Sequence, residues 1–158
     1  MRLSPRLRGV FEMVPADGAV ADIGSGHGAL AAALAARGQR VIATERTART
    51  VAGLRRDLAR IGVPVATRRG EGLDAFRDGE VDTAVIAGLG GRSVLRILES
   101  SPWLPGWLVL QPMQDADLVE GWLAVRGWPV VIAETMERGR RYRAWLVRVG
   151  GAQAVPPV

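Results

Sequence analysis

Two apolar runs near the end of the chain, "PVVIAETMER" (129–138) and "RYRAWLVRV" (141–149), are joined at Gly139 with no room for a helix between them. They must pair as an antiparallel hairpin, because a parallel neighbour needs a crossover of a dozen or more residues. Upstream the pattern is different. Apolar strands at 19–23, 40–44, 63–68, 82–88 and 106–112 alternate with helical spacing at 7–13, 29–37, 48–62, 92–100 and 115–127. Such alternation gives crossover units and a mostly parallel sheet. Five such units closed by a hairpin predict an α/β fold: a three-layer αβα sandwich on a seven-stranded, mostly parallel sheet. The 158 residues suit one domain at 1–150. Residues 151–158 read as a flexible C-terminal tail.

The stretch "VADIGSGHGAL" (20–30) runs from a strand through three alternate glycines, Gly24, Gly26 and Gly28, into an alanine-rich helix. A strand, a glycine turn and a helix start is where a nucleotide-like ligand lies across strand ends. A tight turn alone would also favour glycine. The neighbouring acids decide between partners. Asp22 ends the first strand, Glu45 ends the second and lies 17 residues after Gly28, and Glu71 in "RRGEGL" follows the third. An acid at the second strand end can accept ribose hydroxyls, and one after the third can take an adenine amino group. Three acids repel a pyrophosphate and suit an adenosine that carries a cationic amino acid. S-adenosylmethionine (SAM) therefore fits better than a nicotinamide dinucleotide. Taken singly, each acid is equally compatible with a turn or a cap.

Absences narrow the chemistry. The chain has no cysteine, and all 21 of its basic residues are arginine, so thiolate sites, a Walker A lysine and a Schiff base are excluded. One histidine and no cysteine leave no basis for a transition-metal site. No membrane span or secretory leader is legible, so the expected location is cytoplasmic. A net charge of +5 and a pI near 11.2 suit a polyanionic partner, although an arginine-rich composition alone gives the same charge.

In order along the chain, "LSPRLRGVFEMVP", "ADIGSGH", "IATE", "RRGEGL", "VIAGLGG" and "LVLQPM" resemble the bacterial TrmK family. Those proteins are Rossmann-like class I methyltransferases that use SAM, leaving S-adenosylhomocysteine, to modify N1 of the adenine at tRNA position 22. The resemblance covers about residues 3 to 149. It implies cofactor contacts at Asp22, Gly24, Ser25, His27, Glu45, Glu71, Gly72, Ala87 and Gly88, to which the glycine turn itself adds Gly26 and the arginines after the second strand add Arg46. It implies a methyl-transfer end at Gly88, Gly90, Gly91, Gln111 and Pro112, and tRNA contacts through Arg6, with Arg8 and Arg49 as further phosphate-holding candidates. Three departures stand out: Gly26 replaces a usual aspartate, Met113 replaces a usual asparagine, and the family's C-terminal helical domain has no counterpart in the sequence.

Transfer to a ring nitrogen needs alignment more than a base. The flipped adenine would enter at the ends of strands four and five, where Gly88, Gly90 and Gly91 leave room and Gln111 can read its edge. "AGLGG" lacks the Asn/Asp-Pro-Pro-aromatic pattern of amino-group methylation, although tight helix packing also calls for such glycines. His27 is either a cap or a contact to the cofactor or substrate. Tyr142 and Trp103 are candidates for base stacking, Trp107 reads as core, and the arginines of "RGRRYR" (138–143) read as solvated. The expected function is methylation of adenine N1 in tRNA. The alternatives are a methyltransferase acting on another RNA or a small molecule, and a SAM-binding module without catalysis. The oligomeric state is left open between monomer and homodimer.

Overall fold

The structure, a computed structural model, describes residues 2–151. Most of the expected tail, 152–158, lies outside the described residues. The sheet has the order β3-β2-β1-β4-β5-β7-β6. Strands β1 (Val20–Ile23), β2 (Val41–Glu45), β3 (Ala66–Arg69), β4 (Thr83–Leu89) and β5 (Trp107–Pro112) run parallel, while β7 (Arg140–Arg148) is antiparallel to both β5 and β6 (Val130–Glu137). Helices α1 (Pro5–Met13), α2 (Ala29–Ala36), α3 (Ala48–Ile61), α4 (Gly91–Ser100) and α5 (Ala116–Arg126) complete the three layers. The sequence-predicted architecture and element order are those observed.

The central strands are apolar on both faces because both are covered. Ala84, Ile86, Leu108, Leu110 and Trp145 pack with Val94, Ile97, Val119 and Trp122 of α4 and α5. On the other face Val20, Val85 and Val109 meet Val10, Leu34 and Leu54 of α1, α2 and α3. Local signals set the helix boundaries. The Ser4 hydroxyl accepts from the Leu7 amide at 3.3 Å ahead of Pro5, and Thr47 and Thr50 cap α3 reciprocally. Arg138 (φ 52°) and Gly139 (φ 75°) form the two-residue hairpin turn, both left-handed as a twisted ladder requires.

Four local expectations are corrected. Strand β3 begins at Ala66, not residue 63, because Val63 and Val65 turn into the packing beneath α2 and α3 and Pro64 has no N–H to offer a ladder. Trp107 is only half-buried, on a strand end under the Arg148 guanidinium. Trp103 is packed partly against the core, so it is not a free stacking platform. The hairpin tip is not simply solvated: Arg140 donates to the Met113 carbonyl at 2.9 Å, and Arg143 reaches Glu120 on α5 at 2.9 Å. Among the described residues no helix is long and apolar enough to cross a membrane.

Candidate active site

Neighbours of β1 and β4 lead away in opposite directions, which makes their shared carboxyl edge the crevice where α/β sheets bind ligands. Gly24, Gly26 and Gly28 have φ of 67°, 64° and 80°, a region closed to most side-chain-bearing residues. Their reasons for being glycine differ. A Cβ on Gly28 would lie 2.7 Å from Leu58 Cδ2, so packing against α3 demands it, whereas a Cβ on Gly26 would meet nothing within 4 Å. Gly26 faces open space above the strand ends. The loop is pinned by the Ser25 amide on the Thr44 carbonyl at 3.0 Å and by the Gly26 amide on the Glu45 carboxylate at 2.6 Å.

One cavity of about 300 Å³ is lined by Gly24, Glu45, Arg46, Glu71 and Gly72 together with Thr47, Ser93, Arg96 and Ile97. A second, of about 260 Å³, is lined by Asp22, Gly24, Ser25, Gly26, His27, Ala87, Gly88 and Arg6. Gly24 borders both, so they form two lobes of one cleft, within the size range of small-ligand sites. The acids after strands one, two and three thus face the same edge of the sheet.

Asp22 is buried, and burial lifts its carboxyl to about 6; the Ser25 hydroxyl, donating at 2.7 Å, partly offsets the shift, and the Glu45 charge adds to it. A buried carboxylate of this kind calls for a cation. Together with Glu45 and Glu71, Asp22 gives the cleft three carboxylates that can accept hydrogen bonds from hydroxyl or amino groups or face a cation. His27 has a side chain 93 % exposed, and its Nδ1 lies 2.8 Å from the Asp57 carboxylate, which this contact holds below the usual carboxylate range. Among the described residues no group of three acids or histidines is placed to hold a metal ion.

At the other lobe the β4–β5 register skips between Ala87 and Leu89, so Gly88 (φ 82°) bulges from the strand toward Arg6. The Arg6 guanidinium donates to Gln111 Oε1 at 2.5 Å, and the Gln111 amide nitrogen donates to the Pro112 carbonyl at 2.8 Å. Gln111 is buried with both polar ends engaged, so it bears on the cleft through Arg6. The Arg6 backbone amide in turn donates to Glu137 at 3.0 Å, tying α1 to the hairpin tip. Gly91 is a packing residue: a Cβ there would sit 2.3 Å from the Asp115 carbonyl oxygen. Gly90 stands beside Gln114, while Arg8 and Arg49 are exposed on α1 and on the first turn of α3.

A family model described as "Methyltransferase domain" matches residues 3–144. The tRNA (adenine(22)-N(1))-methyltransferase of Bacillus subtilis is 32 % identical over 162 residues, covering 98 % of this chain and 68 % of that protein. The chain belongs to the TrmK family of methyltransferases. The crystal structure of Bacillus subtilis TrmK superposes with a TM-score of 0.84 at 31 % identity, covering 94 % of this chain and 67 % of that one. Streptococcus pneumoniae Sp1610, solved in complex with S-adenosyl-L-methionine, gives a TM-score of 0.85 at 29 % identity, covering 98 % and 77 %.

Sequence reasoning missed part of this family member's cleft wall. Ser93, Arg96 and Ile97 of α4 line the larger lobe, as does Thr50 of α3. The spacing of Ser93, Arg96 and Ile97 at i, i+3 and i+4 was the available signal, since it puts them on one helix face. The short 3-10 turn Gly72–Ala75, which closes the lobe below Ile97, carried no periodic pattern.

Proposed function

We propose that this chain, as a single methyltransferase domain over residues 1–150, uses SAM to methylate N1 of an adenine in tRNA. The observation that carries this reading is the two-lobed cleft, with Glu45 and Glu71 lining one lobe and Asp22, the glycine loop and the Gly88 bulge lining the other. When bound, SAM supplies a methyl group already activated on a sulfonium. Glu45 and Glu71 would hold the adenosine portion, and Asp22 the cationic amino-acid arm. The loop amides not taken by Glu45 and Thr44 would complete the cradle.

The chain's own residues then have to position the acceptor. Adenine N1 carries its lone pair at neutral pH, so no strong base is needed at the acceptor end. Gly88 lacks a side chain where a flat ring must pass. Arg6, fixed by Gln111 and by the tether of α1 to Glu137, forms the wall opposite. A positioned guanidinium donates hydrogen bonds but takes no proton, which suits recognition of a neutral ring rather than its deprotonation. Alignment of this kind supplies much of the barrier reduction in a transfer between two bound groups.

The test is methyl transfer from labelled SAM to bulk tRNA followed by nucleoside mass spectrometry. The expected product is 1-methyladenosine. SAM binding by calorimetry with no 1-methyladenosine would remove the tRNA reading and leave another RNA, a small molecule or a binding role.

A further inference from the structure

A third cavity, of about 440 Å³, opens where β5 ends and the hairpin projects past it. Pro112 and Met113 form its near wall, Arg140, Tyr142 and Arg143 its far wall, and Asp115 and Glu134 its rim. It begins at Pro112, which pairs with Leu89 next to Gly88 and follows Gln111, the partner of Arg6, and the proposed methyl transfer leaves it unused.

The charges here divide unevenly. Glu134 is answered by Arg141 at 3.6 Å, Asp115 by Arg92 at 3.7 Å, and Arg143 is taken by Glu120 at 2.9 Å. Arg140 is in no ion pair among the described residues; its guanidinium donates to the neutral Met113 carbonyl at 2.9 Å. That bond fixes the guanidinium over the Tyr142 ring, 5.4 Å from its centroid. A free cation and the chain's one tyrosine thus occupy the same spot. Phosphate oxygens seek such a cation, and a nucleobase such a ring.

Resting on the reading above, we propose that this cavity is a second nucleotide subsite, taking the phosphate and base of an RNA nucleotide adjacent to the methylated adenine. An adenine drawn out of its stack keeps its backbone links. Its neighbours must leave the acceptor lobe over a nearby surface, and the Arg140–Tyr142 cavity is connected to that lobe through Pro112, the strand partner of Leu89 and neighbour of Gln111.

The experiment reads binding of a short fluorescein-labelled, single-stranded oligoribonucleotide by anisotropy across a salt series, without methyl transfer. Arg140→Gln is expected to weaken binding about tenfold and lower the salt slope by about 0.7, the release from one phosphate contact. Tyr142→Ala is expected to weaken it several-fold with the slope unchanged. SAM affinity stays the same in both, and Arg40→Gln, the same charge change at the opposite edge of the sheet, leaves RNA binding as in the parent. Parent-like binding by the Arg140 and Tyr142 variants, or an equal loss in the Arg40 variant, overturns the subsite. The two readings fail separately. RNA binding that depends on Arg140 and Tyr142 without 1-methyladenosine removes the reaction alone. Methylation with an unchanged KM for tRNA in both variants removes the subsite alone.

Discussion

The two lobes of the cleft are built on different plans. Over β1, β2 and β3 the cleft is made of backbone and carboxylates: left-handed glycines, amides held by Glu45 and Thr44, and acids at consecutive strand ends, of which Asp22 also borders the lobe that holds Arg6 and Gly88. The lobe over β4 and β5 is made of long-range side-chain contacts, in which Arg6 reaches Gln111 across 105 positions of sequence and Glu137 across 131. The first plan concentrates negative charge for a cationic cofactor. The second removes bulk and fixes one guanidinium for a neutral ring. Substitutions that separate cofactor affinity from turnover test whether this division is real.

The largest effect is expected at Asp22. In the folded chain its carboxyl holds a proton up to about pH 6, against an ordinary value of 3.8. The folded state binds that proton more tightly, so the associated stability is full below about pH 4 and is lost as pH rises through 6. Roughly two pKa units correspond to about 3 kcal/mol. Asp22→Asn is therefore expected to match the parent at pH 4 and exceed it by about 3 kcal/mol near pH 7.5 in urea unfolding, while losing SAM affinity. A stability gap independent of pH would show that Asp22 is not held against its solvation preference.

Glu45→Ala comes next, with a drop in SAM affinity on the order of 100-fold, since charge-assisted hydrogen bonds contribute about 1.5–3 kcal/mol each. Calorimetry reads it, and a change under threefold removes the carboxylate plan from this lobe. Glu45 also fastens the Gly26 amide, so the variant's loop should gain exchange of that amide with solvent.

These two predictions concern the part of the molecule most legible in sequence. The strand ends could be read because each element there carries its own local signal: an apolar run, then an acid or a glycine. Glu45 lies next to the loop it serves through simple parallel pairing of β1 with β2. The acceptor lobe gave less away. "VIAGLGG" reads as glycines leaving room, yet only the fold separates their tasks, with Gly88 bulging into the cleft and Gly91 packed on the Asp115 carbonyl. Likewise, nothing local in "RGRRYR" tells that Arg140 turns back to Met113, because that contact depends on how far the hairpin outruns β5. Periodicity reports burial along one element; it is silent on which distant side chain meets it.

Gly91→Ala tests the junction between the plans. Its Cβ would fall 2.3 Å from the Asp115 oxygen, backbone that cannot swing aside as a side chain would. Overpacking of this sort costs about 1–3 kcal/mol, or several degrees of Tm for a chain of this size. The α4–α5 start must shift, so kcat is expected to fall with the adenosine affinity little changed. Equal losses in both would mean that α4 serves the cofactor lobe as much as the acceptor lobe.

The smallest and most informative effect is expected at Arg6. If its guanidinium forms the acceptor wall, Arg6→Ala should lower kcat about tenfold, roughly 1.4 kcal/mol, with SAM affinity within twofold of the parent. Loss of the bond to Gln111 leaves a buried amide oxygen without its donor, so some stability is lost as well. Arg6→Lys separates the two consequences. A lysine keeps the positive charge and one donor for Gln111 but presents no planar fork. Stability should return with lysine while kcat stays low, because orientation of a flat acceptor depends on the fork and not on the charge. Full recovery of kcat by lysine would reduce Arg6 to a strut for Gln111, and the acceptor lobe would then have to be read from the backbone around Gly88 alone.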